Sequence, residues 1–202
     1  MSAHLVGLAL GASFAAGLNL YATVAALGLL ERFGVVTLPP SLHPLAHPVV
    51  IGVALFLYTV EFFADKIPYV DTAWDTLHTF IRPPAAAILA YAAVAGVPEP
   101  WRIVAALVAG GVALTSHGTK ATKRAAVNTS PEPISNWVLS VGEDGLAIAL
   151  AWLAAAHPLL TLGIVVALMA LSIWILVKVA RYFRRLFRDT AARKRQTVPK
   201  PS

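Results

Sequence analysis

Cysteine is absent from the 202 residues. That excludes disulfides, thiolate metal sites and cysteine nucleophiles, while leaving the redox compartment open. Charge is scarce as well: Asp, Glu, Lys and Arg make up 13% of the chain, against roughly 25% in an ordinary soluble domain. No Walker-type phosphate loop, His-Glu-xx-His helix or Gly-x-Ser-x-Gly elbow occurs, so the enzyme classes marked by those motifs are not indicated. The amino-terminal Met1-Ser2-Ala3-His4 has no basic flank, and the apolar run after it is longer than a secretory h-region. A retained helix is expected there.

What the chain has in abundance is apolar surface: 58% of its residues are hydrophobic and the mean hydropathy is +0.72. A bilayer-spanning helix needs about 20 mostly apolar residues. The pattern predicts an all-α polytopic membrane protein with about six spans, near residues 5–30, 49–64, 83–97, 101–116, 134–156 and 159–177. Gly7, Gly11, Ser13, Ala16 and Gly17 suit close helix contact in the first span. Asn19, near its middle, reads first as an amide bonded to a neighbouring helix and second as a ligand. Pro39, Pro40, Pro44 and Pro48 mark a connecting loop.

Lys178, Arg181, Arg184, Arg185, Arg188, Arg193, Lys194, Arg195 and Lys200 follow the last span. The positive-inside rule places this carboxyl terminus, and by counting back the amino terminus, in the cytoplasm of a multi-pass inner (plasma) membrane protein. The expected organisation is a membrane domain over 1–178 and a basic tail over 179–202. With Tyr182, Phe183, Leu186 and Phe187 among its arginines, the tail reads as lying on anionic lipid headgroups. Arg181, Arg184, Arg185 and Arg188 are the expected lipid contacts, and nucleic acid is not an expected partner. A homo-oligomer is left open.

Two polar stretches carry most of the remaining chemistry, and ionisable groups beside membrane spans are functional candidates by default. The first holds Glu61, Asp65, Lys66, Asp71, Asp75, His78 and Arg82. The second holds His117, Lys120, Lys123, Arg124, Asn128, Glu132, Asn136, Glu143 and Asp144. On the six-span count each joins one of two parallel hairpins at the cytoplasmic side, a pseudo-repeat with acids leading one connection and bases the other. A shared charged site between the hairpins is then expected, with Glu61 and Asp65 near Lys120 and Arg124, and Glu143 near Arg82.

Asp71, Asp75, His78 and Arg82 recur with helical spacing beside Val70, Trp74, Leu77 and Ile81, predicting an amphipathic helix. Its apolar face would lie along the membrane interface, with Tyr69 and Trp74 as anchors and the polar side wet. The spacing of Asp71 and Asp75 also suits a divalent cation on oxygen ligands, although neutralisation of these acids by Lys66 and Arg82 is the favoured alternative. His117, Lys120 and Arg124 share a face fit for an anion. Ser135 or Asn136 is the expected cap of the fifth span, and Asn136, Ser140, Glu143 and Asp144 share a face of it.

The stretch from Glu61 to Asp75 (EFFADKIPYVDTAWD), Arg82-Pro83, His117-Gly-Thr-Lys120 and the run Asn128-Thr-Ser-Pro-Glu-Pro133 together resemble the domain of unknown function 4126 family of small integral membrane proteins. The resemblance covers about Leu5 to Lys178 and implies a multi-helix membrane domain without naming an activity. Two functional classes follow from the residues themselves. The first is a transporter or channel for an ion or small anionic solute, needing no cofactor. The alternative is a membrane-embedded enzyme acting on a lipid phosphate or activated headgroup, with a divalent cation on carboxylates and His117 or a carboxylate as base. Asp71-xxx-Asp75 is similar to half of the CDP-alcohol phosphotransferase motif, but the paired aspartates of the other half are missing before Asp71. A lipid-organising structural protein is a third option. Transport is the preferred expectation.

Overall fold

A computed structural model describes residues 2–67, 69–127 and 133–196, with side chains described outside 133–136 and 186–196. Its elements are α1 (Ala3–Leu18), α2 (Leu20–Arg32), a 3₁₀ helix (Pro40–Ala46), α3 (Pro48–Ala64), α4 (Val70–Ala93), α5 (Glu99–Val127), α6 (Pro133–Ala156) and α7 (Pro158–Gln196). Among the described residues there is no strand. The all-α expectation holds.

The first apolar run is two helices. Asn19 stands between them with extended backbone (φ −149°, ψ 106°), and its side-chain carbonyl accepts from the N–H of Ala22 at 2.9 Å. Asn is among the best N-caps because its oxygen satisfies a donor that the first turn leaves orphaned. One polar residue thus ends α1 and starts α2.

α1 occupies the centre, buried from Gly7 to Leu18 apart from the half-buried Leu10, and packed against α4, α5, α6 and α7. The small-residue stripe makes this approach feasible. A β-carbon at Gly7 would collide with the Pro158 carbonyl, and one at Gly17 with the Ser116 hydroxyl and the Ala113 carbonyl.

Three expectations are corrected. The amphipathic segment and the third span form one helix, α4, which runs through Pro83 and Pro84. Each proline removes one amide donor, yet helical pairing resumes on both sides. Its polar face points inward: Asp71, Asp75, His78 and Arg82 are buried while Val70, Leu77 and Phe80 are exposed, the reverse of a helix lying on an interface with a wet side. α6 already begins at Pro133, ahead of Ser135 and Asn136, so neither is its cap. The parallel pseudo-repeat finds no support, because α3 barely touches α4 and α5 barely touches α6. α4 packs most extensively along α5, as the short connection between them favours.

Trp137–Ala156 and Pro158–Arg185 are long and apolar enough to cross a membrane, with mean hydropathies of 1.5 and 2.7. The 3₁₀ helix and α3, bent by 64°, make a third such element if counted as one span. α7 continues unbroken past residue 178, so the tail expected from 179 starts as part of the same helix.

Candidate functional site

The end of α3, the polar half of α4, the last turns of α5 and the first half of α6 converge on the break at Asn19. Glu61 and Asp65 fall one turn apart where α3 ends. Arg82 comes from α4, His117, Lys120 and Arg124 from one face of α5, and Glu143 and Asp144 from α6. All are buried. Burying a charge is costly unless it is paired and hydrogen-bonded, and the pairing is extensive.

Arg82 Nη2 donates to Glu61 Oε1 at 2.7 Å, and its Nη1 lies 2.8 and 2.9 Å from the carbonyls of Gly17 and Leu18. Lys120 Nζ reaches the Leu18 carbonyl at 3.0 Å, Glu61 Oε1 at 3.4 Å and Asp65 Oδ2 at 2.8 Å. Arg124 donates from Nη2 to Asp65 Oδ2 (2.9 Å) and Glu143 Oε2 (3.0 Å), from Nε to Glu143 Oε2 and from Nη1 to the Asp65 carbonyl. Lys123 reaches Glu143 from the rim at 2.9 Å. Two cations therefore sit at the carboxyl end of α1, where unsatisfied carbonyls and the helix dipole favour positive charge.

The two histidines are locked by their neighbours. Arg82 only donates, so His117 Nδ1, 2.9 Å from it, accepts, and its Nε2–H points at the Asp75 carbonyl (2.9 Å) and the Thr79 hydroxyl (3.0 Å). His78 has the opposite tautomer: Nδ1–H donates to the Trp74 carbonyl at 2.8 Å, and Nε2 accepts from Tyr21 at 3.1 Å. This geometry holds His117 neutral, and with its one lone pair taken by Arg82 none is free for general-base work.

The expected meeting of Glu61 and Asp65 with Lys120 and Arg124 is present. The expected pair of Glu143 with Arg82 is not, since Glu143 is taken by Arg124 and Lys123 and Arg82 by Glu61. The basic face of α5 holds the protein's own carboxylates in place of a free anion. Among the described residues Lys66 pairs with no acid directly: its ammonium donates to the Phe62 carbonyl (2.9 Å) and Ser140 (3.3 Å) and lies 2.9 Å from the centre of the Phe62 ring. Asp71 is buried at the start of α4, its Oδ1 accepting from the N–H and hydroxyl of Thr72. Among the described residues no group of three or more His, Asp or Glu is placed to hold a metal ion.

Asn128 and Glu132 lie outside the described residues, as do the side chains of Asn136 and Arg188. Arg181, Arg184 and Arg185 are exposed on α7. Asn19 gains importance: its amide donates to Asp144 Oδ1 at 2.8 Å across the bundle. The carbonyls of Gly17 and Leu18 were not foreseen as ligands of charge. The sequence signal for them was a cap-forming Asn inside an apolar run.

Beyond the helix ends, Asp65 sits where α3 meets the connection to α4. Burial pushes its carboxyl up, but Lys120 and Arg124 outweigh this and hold it below the ordinary value of 3.8.

Charged side chains inside, with Phe56, Phe63, Phe80, Leu107 and Trp174 among the residues outside, define an all-α protein whose apolar helices suit association with a membrane. The chain belongs to the DUF4126 family, described as a domain of unknown function, whose model matches residues 6–178. No curated protein and no solved structure matches it.

Proposed function

We propose that this chain is a small multi-pass membrane transporter or channel for an ion or small anionic solute. In this reading α1 with α2, the bent 3₁₀ helix with α3, and then α4, α5, α6 and α7 make six spans of an inner (plasma) membrane. Both termini are cytoplasmic, and the exposed arginines of α7 lie against anionic headgroups. Nucleic acid is not a partner.

The observation that carries the reading is the helix break at Asn19 beside a buried charge network. Discontinuous helices whose ends face charged groups are the way transporters build ion sites at membrane depth. Here the terminal carbonyls of α1 face Arg82 and Lys120, and Asn19 holds Asp144. The metal-dependent alternative draws no comparable support, because its carboxylates are spent on Arg and Lys partners or stand without a third ligand.

The test is reconstitution of the purified full chain in liposomes, with proton, cation and anion flux followed under imposed gradients. Flux in the parent that is lost in Asp65→Asn and Glu143→Gln is expected. A parent without flux under every gradient overturns the proposal.

A further inference from the structure

The charge network closes without one of its carboxylates. Arg82, Lys120 and Arg124 are matched by Glu61, Asp65 and Glu143 through contacts of 2.7 to 3.4 Å. Asp144 has the Asn19 amide. Asp75 is 3% exposed, and among the described residues neither of its carboxylate oxygens has a hydrogen-bond partner. Its nearest ion-pair partner is Arg82 Nη2 at 3.9 Å, beyond hydrogen-bonding distance.

Asp75 lines a cavity of about 290 Å³ between α4 and α5, together with Thr72, Thr76, Thr79, Thr122 and Arg124. Thr72 and Thr76 are exposed, so the cavity reaches the surface. The cavity walls argue about what enters. Arg124 uses four of its five N–H donors on Asp65 and Glu143, and the single Nη1–H left over is too little to hold an anion beside the carboxylate of Asp75. A divalent cation takes about six or more oxygen ligands, whereas among the described residues Asp75 is the one carboxylate on these walls. Thr79 already donates to the Asp75 carbonyl and faces His117 Nε2. A proton needs no ligand shell, and on one Asp75 oxygen it removes a buried charge that no hydrogen bond among the described residues satisfies.

We propose that Asp75 is a proton-binding carboxylate reached through the α4–α5 cavity, and that the ion handled at this site is the proton. Its purpose rests on the transport reading, but its chemistry does not. Among the described residues, the charged and titratable groups around it include Glu61 of α3, Asp65 of the connection, Asp71, His78 and Arg82 of α4, and His117, Lys120 and Arg124 of α5, with Glu143 and Asp144 of α6 behind them. Among the described residues only Asp75 and Arg124 of these groups line the cavity, and Arg124 stays protonated, which leaves Asp75 as the group whose proton changes the charge facing it.

The test is infrared difference spectroscopy of the full chain in ester-free detergent across a pH titration, with liposome proton flux measured in parallel. A protonated-carboxyl band that disappears as pH rises is expected in the parent, missing from Asp75→Asn and displaced in midpoint in Asp75→Glu. The second variant keeps a carboxyl and serves if the first does not fold. A band that survives unchanged in Asp75→Asn, or a midpoint unmoved in Asp75→Glu, overturns the assignment. So does a midpoint that sodium lowers, which would make the ligand a metal cation. A band with the expected behaviour but no proton flux overturns the proton as the ion handled, and the absence of flux under every gradient overturns the transport reading, whereas proton flux without the band overturns the Asp75 assignment.

Discussion

The guanidinium of Arg82 and the carboxylate of Glu61 meet at 2.7 Å with neither side chain exposed to solvent. Truncating one partner of such a buried pair strands the other and costs about 3–5 kcal/mol, while replacing both by apolar residues is often neutral or stabilising. Glu61→Leu and Arg82→Met singly should therefore each destabilise strongly. The double variant should recover part of the loss, as read from chemical unfolding in detergent. Equal, additive losses would mean that the two do not act as a pair.

Asn19→Ala should remove the cap of α2, worth about 0.5–2 kcal/mol. It should also leave Asp144 without its amide donor, a further loss of about 1–3 kcal/mol for a buried group. Asn19→Asp keeps a capping oxygen but sets two carboxylates against each other, so its melting temperature should fall below that of Asn19→Ala. The reverse order would show that the contact of Asn19 with Asp144 contributes little.

Gly17→Leu places a side chain where the Ser116 hydroxyl and the Ala113 backbone already lie. Overpacking costs about 1–3 kcal/mol where side chains can give way, and more where backbone must move. Loss of a monodisperse species on size exclusion is the expected result. Gly111→Leu, with open space at its β-carbon, serves as the tolerated control.

Asp65 ionises more readily folded than unfolded, so the folded state binds fewer protons near the ordinary value of 3.8. Its contribution to stability is full above that value and is lost as pH falls through the lower, folded one. The difference in melting temperature between the parent and Asp65→Asn should hold from neutrality down to about pH 4 and shrink only below it. Loss of the difference already near about pH 6 would count against the pairing with Lys120 and Arg124.

Much of the fold was legible in the residues because it depends on neighbours in sequence. Apolar run lengths located α6 and α7, and prolines marked the 3₁₀ segment. The spacing of Asp71, Asp75, His78 and Arg82 placed all four on one face of a helix. Other features were misread for the same reason. Pro83 looked like a boundary, but helical hydrogen bonding on both sides carries α4 through it, and periodicity that finds a polar face does not say whether water or protein covers it.

By itself the sequence determined the inventory: an apolar all-α chain of the DUF4126 family, with few charges gathered into two stretches and one Asn inside its first apolar run. The charges of the two stretches already set Glu61 and Asp65 against Lys120 and Arg124, but tertiary structure decided the remaining partners. The contacts of Lys120 with Leu18, Arg82 with Leu18 and Asn19 with Asp144 join residues 102, 64 and 125 positions apart, and no local pattern specifies them. They follow from α1 entering the centre of the bundle, where small residues let neighbouring helices close in. With water excluded there, each cation is driven to the nearest carboxylate or helix end, which leaves Asp75 as the acid that faces a cavity without a hydrogen-bond partner among the described residues.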